Sequence, residues 1–332
     1  MRKIVIPRFG GPEVFELVDL PTLELGPEGV LVKAHAIGVG WPDVYVRTGT
    51  YPWQHLFEMP ATPGVEMSGT VAAVGSAVDR FQVGQPVYVS SGLLGMAGGC
   101  YTEAQVVPQD RLIPVPPGLS LEAMANLSYY TVAVAMLSEC GRGQNIRWVL
   151  VSGASGGMGS ALVQVAKAAG HRVIATVGQE RKREHSLTMG ADHVLNYRED
   201  DLKAGIAAAT EGTGVDFWLE SYAGPQLADV LDSMAPWGKL LLYNAVGGHP
   251  PGSFFDAWRT HMEKCVSIQY FSSHVWEHDR TTLMRFGLQT IELMLSGKVK
   301  PPPGTFFPMA EAAEAHRLLE SGQHVGRIFL RP

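Results

Sequence analysis

The sequence predicts an α/β protein in which a doubly wound parallel sheet accompanies a smaller β-rich unit. Three observations predict this. An apolar run, Trp148–Val151, leads into a glycine-rich turn and then a helical pattern. From there to about residue 271, short apolar runs alternate with helical stretches. Before it, residues 1 to about 120 break into short strands between glycines and prolines, with almost no helical period.

In chain order, the first unit offers six candidate strands: Lys3–Ile6, Phe15–Leu20, Val30–Ile37, Gly69–Val74, Pro86–Val89 and Glu103–Val107. Many short strands with such turns make a compact, often barrel-like unit. Helical spacing begins at Leu121–Glu139.

At Arg147–Gly178 the pattern changes. Trp148–Val151 has the length and β-branching of a buried strand, and Ser152–Gly159 is too glycine-rich for anything but a tight turn. Leu162, Val163, Val165, Ala166 and Ala169 then recur at helical spacing, and Gly170 stands where a helix ends in its left-handed residue. Val173–Val177 is a second strand. Strand, turn, helix and strand make the first half of a dinucleotide-binding βαβ unit. Glycines let backbone N–H groups approach a pyrophosphate, and the helix N-terminus adds partial positive charge. Ala154, Gly156 and Gly159 fit the fingerprint with alanine first, so Ser155, Gly156, Gly157 and Met158 are candidate phosphate contacts. A turn of this composition without its flanking elements is common; with them, a ligand is the better reading.

An NAD site carries Asp or Glu about twenty residues after the glycines to hold the ribose 2′-OH. Here Ala175-Thr176-Val177-Gly178-Gln179-Glu180-Arg181-Lys182-Arg183 has no acid ending the strand; Gly178 leaves room and three basic residues follow. A 2′-phosphate needs that room and that charge, which favours NADPH, with Glu180 as a counter-signal.

Four more strands follow: His193–Asn196, Val215–Glu220, Lys239–Tyr243 and Val266–Phe271. Helices are expected at Arg181–Met189, Asp200–Ala209 and Pro225–Met234. Ligands sit at the carboxyl ends of such strands, and Ser221, Asn244, Ala245, Val246, Phe271 and Ser272 lie just past them. A helix at Leu283–Leu295, a turn at Pro301–Gly304, a helix at Ala310–Leu319 and a strand at Arg327–Leu330 complete the reading.

The composition narrows the function classes. At 332 residues, with 46% hydrophobic and 17% charged residues, the chain can fill two cores. A net charge of −6 speaks against a nucleic-acid or anionic-membrane partner. Cys100, Cys140 and Cys265 are too few and too scattered for a disulfide framework or a metal cluster. With no leader-like opening and no long uncharged apolar segment, a soluble cytoplasmic protein is expected.

Trp41-Pro42-Asp43-Val44-Tyr45-Val46-Arg47-Thr48-Gly49-Thr50-Tyr51-Pro52 resembles the substrate-side motif of the quinone oxidoreductases. These form the zinc-free, zeta-crystallin-like branch of the medium-chain dehydrogenase/reductase superfamily. Thr62–Gly69 with Val74-Gly75, Gly84-Gln85-Pro86-Val87, Asn196-Tyr197-Arg198-Glu199, Ala315-His316 and Gly326-Arg327 resemble its later blocks, in order and over nearly the whole chain.

The resemblance implies a Rossmann NADPH-binding domain over 122–273. It also implies a discontinuous GroES-like catalytic domain over 1–121 and 274–332, the active site in the cleft, and a homodimer built across the sixth strand's edge. It implies that Lys182 and Tyr197 hold the 2′-phosphate and ribose, that Thr131 and Tyr45 lie beside the nicotinamide, and that Tyr51 donates a proton or hydrogen bond. Trp41 and Asp43 would line the substrate pocket. The superfamily's alcohol dehydrogenases hold zinc through Cys and His, but Gly40–Asp43 has no cysteine and Val65 replaces the histidine. No metal is expected. The implied activity is hydride transfer from NADPH to quinones or similar conjugated carbonyls. The alternatives are C=C reduction of enals, enones or 2-enoyl thioesters, or NADPH binding without catalysis.

Overall fold

The computed structural model describes residues 1–19, 23–53, 57–92, 98–248, 250, 252–276 and 278–332. In chain order the elements begin β1 (Arg2–Val5), β2 (Glu16–Asp19), β3 (Gly29–Val39), α1 (Trp41–Thr48), β4 (Glu66–Val74), β5 (Pro86–Ser90), β6 (Ala104–Pro108), β7 (Ile113–Pro114), α2 (Leu121–Met124) and α3 (Leu127–Ala135). They continue β8 (Trp148–Val151), α4 (Gly157–Ala168), β9 (Arg172–Val177), α5 (Arg183–Thr188), β10 (His193–Asn196), α6 (Leu202–Thr210), β11 (Val215–Glu220) and β12 (Met234–Leu242). The last are α7 (Phe254–Thr260), β13 (Ser267–Tyr270), α8 (Arg280–Leu295), β14 (Thr305–Pro308), α9 (Ala312–Glu320) and β15 (Ile328–Arg331). Leu20, the end of the second expected strand, lies outside the described residues.

The chain forms two compact units, Met1–Ser128 with Pro302–Pro332, and Tyr129–Pro301. The sequence placed the boundaries after residues 121 and 273; the structure moves both. Ser128 belongs with the first unit because its N–H and hydroxyl donate to the Glu66 carboxylate. Residues 274–301 belong with the second. Arg285 of α8 pairs with Glu139 at 3.0 Å, and Lys300 N–H donates to Gln164 Oε1 of α4 at 2.6 Å.

The first unit is built on β3, which pairs antiparallel with β4 over Val30–Ile37, with β6 over Gly29–Lys33 and with β15 over Ile37–Val39. Alternate β3 residues Val30, Val32, Ile37 and Val39 meet Met67, Val71, Val87, Val89, Ile328 and Leu330 in the core. Burial of each such side chain contributes about 1.5–3 kcal/mol. Helix α1 escaped the sequence reading, since Pro42 and the β-branched Val44 and Val46 mask a helical period. Its start is fixed by Asp43 Oδ2, which accepts from Gly40 N–H at 2.9 Å, and its end by Gly49 at φ 74°.

In the second unit, the described strands form a parallel sheet of order β10-β9-β8-β11-β12-β13. The order reverses direction between β8 and β11, the switch point of a doubly wound sheet. Strand β12 starts at Met234, earlier than the Lys239 expected. Pro236 and Trp237 (φ 65°) hid its first residues, and the pairing with β11 shifts register there. Pro225–Ser233 is a 3₁₀ helix, and Leu121–Glu139 resolves into α2, α3 and a π-turn over Met136–Cys140. No helix among the described residues is long and apolar enough to cross a membrane.

Candidate cofactor site

Strand β8 delivers Ser152 into the glycine turn, and α4 begins at Gly157 with Gly156 as its extended N-cap. A Cβ on Gly159 would lie 2.3 Å from the Gly153 carbonyl oxygen, so only glycine lets α4 pack this close beneath the turn. The first N–H groups of α4 remain for an anion, as a pyrophosphate requires.

The next two strand ends bring Gly178 and Tyr197 together. A Cβ on Gly178 would stand 2.4 Å from the Tyr197 hydroxyl, so the phenol lies over the glycine. Lys182 is buried; that burial, and then the charges of Arg181 and Arg198, lower its pKa. Arg198 lies 5.9 Å from the Tyr197 ring centroid. Glu180 and Asp200 both pair with Arg183, at 2.8 and 3.1 Å. The positive charges of Lys182, Arg181 and Arg198 act on one another here and suit a doubly charged phosphate.

The loops after β11, β12 and β13 also converge in pairs. Val246 N–H donates to the Ser221 carbonyl at 3.2 Å, and Asn244 Oδ1 accepts from Ala245 N–H at 2.9 Å. Phe271 N–H donates to the Leu242 carbonyl at 2.8 Å, and Ser272 Oγ accepts from His274 N–H at 3.2 Å. Burial, moderated by a hydrogen bond with Ser221, raises the pKa of Tyr243 beneath them. Thr131 is half-buried on α3.

In the first unit, the Trp41 and Tyr45 rings lie one turn apart on α1, tilted by 35° with centroids 5.8 Å apart. Tyr51 sits instead in a separate aromatic group with Trp53 and Phe57, at 5.7 and 5.6 Å, against Ile6, Val14, Val46 and Ala61. Asp43 is 1% exposed, and its oxygens accept from Gly40 N–H and, at 2.8 Å, from Gly64 N–H. Burial outweighs those bonds and raises its pKa to about 7. Glu66 is fully buried and accepts from the Tyr88 hydroxyl at 2.7 Å, from Ser128 N–H and Oγ–H, and from Arg327. Arg327 also donates to the Ala125 carbonyl at 2.8 Å. Among the described residues, no three His, Cys, Asp or Glu side chains converge.

Residues 26–117 match the alcohol dehydrogenase GroES-like domain, and residues 157–286 match the zinc-binding dehydrogenase family. Quinone oxidoreductase from Sus scrofa is 31% identical over 99% of this chain and 97% of its own length. The chain belongs to the quinone oxidoreductase branch of the medium-chain dehydrogenase/reductase superfamily. Escherichia coli quinone oxidoreductase, solved in complex with NADPH, superposes with a TM-score of 0.86 at 26% identity, covering 100% of both chains. A 2-haloacrylate reductase superposes at 0.77 with 27% identity, covering 100% of this chain and 99% of its own. The β-rich unit is thus the GroES-like domain of an oxidoreductase in this branch, and the doubly wound unit its Rossmann domain.

Of the residues expected at the cofactor, Gly178 lies beside Tyr197, and the Ser221 carbonyl accepts from Val246 N–H. Asp43 departs from the expected substrate-pocket role: both its oxygens are bound inside the protein, where they cap α1 and anchor Gly64. Tyr45 and Tyr51 fall in different aromatic groups. Two contributors escaped the sequence reading. Arg198 carries a visible signal, a basic residue beside Tyr197. Glu220 carries none beyond ending a strand, because its partners are spread from Ser152 to Ala223.

Proposed function

We propose that this oxidoreductase is NADPH-dependent and metal-independent, and that it reduces quinones or similar conjugated carbonyls. The observation that carries the reading is the Lys182, Arg181 and Arg198 cluster beside Gly178 and Tyr197. A 2′-phosphate brings a double negative charge that these cations attract, whereas a ribose 2′-hydroxyl brings none. The Escherichia coli relative solved with NADPH supports the same assignment.

When bound, the dinucleotide supplies the hydride. The chain's own residues bind and orient. Gly156–Met158 and the α4 N-terminus hold the pyrophosphate, Lys182 and Arg198 the 2′-phosphate, and Tyr197 the ribose. Ser221, Asn244–Val246, Phe271, Ser272 and Thr131 set the nicotinamide end. Tyr51 supplies a phenol toward the oxygen of the reduced conjugated carbonyl, where negative charge develops. Metal independence follows from donor chemistry: Val65 has no ligating atom, and the Asp43 and Glu66 carboxylates are occupied by protein donors. The exposed edge of β13, where Tyr270 is 60% exposed, is the surface across which a homodimer forms.

The test is NADPH oxidation with and without EDTA, against one quinone and one enone. Chelator-insensitive quinone turnover is expected. Preference for the enone with a saturated C=C product would shift the assignment toward the chemistry named for the 2-haloacrylate reductase. NADPH binding without turnover on either acceptor would overturn the catalytic reading.

A further inference from the structure

Glu220 ends β11 on the glycine-turn side of the second unit's sheet and is 6% exposed. Its Oε2 accepts from Ser152 Oγ at 2.6 Å and from the Trp218 indole N–H at 3.2 Å. Its Oε1 accepts from the backbone N–H groups of Tyr222 at 2.5 Å and Ala223 at 3.2 Å. Both lone-pair sets of one buried carboxylate are therefore used, and each oxygen serves a different loop.

Those loops form the nicotinamide half of the proposed site. Ser152 leads into Gly153, at φ +63°, where a Cβ would lie 3.3 Å from Ser221 Oγ. On the other side the chain bends through Ala223 at φ 60° and Gly224 at φ 47°. A residue with a Cβ does not hold the left-handed region without outside support. The bend passes the linkage on: Val246 N–H donates to the Ser221 carbonyl, and Gly247 N–H to the Tyr222 carbonyl at 2.7 Å. Hydrogen bonds thus run from the turn after β8, through Glu220, to the loops after β11 and β12.

We propose that Glu220 is a positioning residue for the cofactor: it keeps the glycine turn in register with the Ser221–Ala223 bend and the 244–246 loop. This rests on the NADPH reading above. Because its hydrogen-bond partners Ser152, Trp218, Tyr222 and Ala223 all lie outside β9 and β10, Glu220 governs the nicotinamide half of the dinucleotide and leaves the adenosine 2′-phosphate half alone.

Two probes separate these halves, NADPH and adenosine 2′-monophosphate, with affinities measured by calorimetry well below the unfolding temperature. In Glu220→Gln, the new amide NH₂ meets two backbone N–H groups on one side, or on the other the Ser152 hydroxyl and the Trp218 indole N–H, which also donates to Ser152 Oγ at 3.0 Å. The NADPH Kd is expected to rise about tenfold, with adenosine 2′-monophosphate binding unchanged. Adding Trp218→Phe removes the opposing indole N–H, so the amide can donate to Ser152 Oγ while its oxygen still accepts from the bend. Most of the NADPH affinity should return. Should Glu220→Gln fail to fold, Ser152→Ala cuts one arm only and carries the same expectation. Equal loss for both probes would reduce Glu220 to general stability and overturn the proposal, as would no change in either. An unmodified protein that binds neither probe would overturn the NADPH reading itself.

Discussion

A carboxylate taken out of water must find donors or surrender its charge, and Asp43 and Glu66 meet that demand differently. Glu66 gathers four donors, one of them cationic. Asp43 has two backbone N–H groups, and burial still raises its pKa to about 7. In Asp43→Asn one of those N–H groups meets an amide NH₂. The variant should lose about 1–3 kcal/mol, read as a lower urea midpoint at pH 7, and an unchanged midpoint would count against the capping role. His316 shifts the other way: burial, then the Arg47 charge, lowers its pKa to about 3, and its Nε2 lies 3.0 Å from the Tyr101 hydroxyl. Its folded value lies below the ordinary 6.5, so the unfolded chain takes up the proton first. That contribution is complete above about pH 6.5 and is lost as pH falls toward 3. Asp43 has the opposite sign, with its contribution complete below about pH 4 and lost as pH rises toward 7. Replacing His316 and Tyr101 together by Phe should therefore reduce the stability lost between pH 7 and pH 5, measured by urea unfolding at both. Losses equal to the parent's would refute the His316 assignment. At the cofactor site, Lys182→Ala should raise the Kd of NADPH by tenfold or more while barely changing that of NADH, on the order of one charge-assisted hydrogen bond. Equal losses would remove the 2′-phosphate assignment.

At the scale of elements, two glycines near the cofactor face different obstacles, and their alanine variants should differ accordingly. The Cβ of Gly159→Ala meets backbone, 2.3 Å from the Gly153 oxygen, so turn and helix must part at a cost of about 1–3 kcal/mol, with NADPH affinity falling too. The Cβ of Gly178→Ala meets only the end of the Tyr197 side chain, which swings aside; stability should hold while NADPH affinity drops. Thermal melts beside NADPH titrations distinguish the two cases. Much of this architecture was legible in the sequence. Strands β8, β9 and β11 announce themselves as apolar runs because both their faces are buried, and α4 because glycine sits at its packed start. What stayed hidden depends on contacts rather than period. Helix α1 is specified by Asp43 reaching Gly40, the start of β12 is masked by Pro236 and Trp237, and Glu220 takes donors from residues as far apart as Ser152 and Ala223. The unit boundaries shifted because Ser128 and Lys300 are held by Glu66 and Gln164, partners distant in sequence.

At the scale of the molecule, each unit carries its own core, one around β3 and one around β8, β11 and β12. Heating should therefore resolve two overlapping calorimetric transitions. NADPH at about one hundred times its Kd should stabilise the second unit by about 2.7 kcal/mol and the first by less. A single transition that moves as one would show the units to be energetically inseparable. The path of the chain adds a consequence in time. Strand β15, paired with β3 at Ile37–Val39, belongs to residues 328–331, whereas the second unit is complete by Pro301. The unit begun first is therefore finished last in synthesis. A chain ending before Ile328 would hold the whole sequence of the nucleotide-binding unit while the β3 edge at Ile37–Val39 stays open.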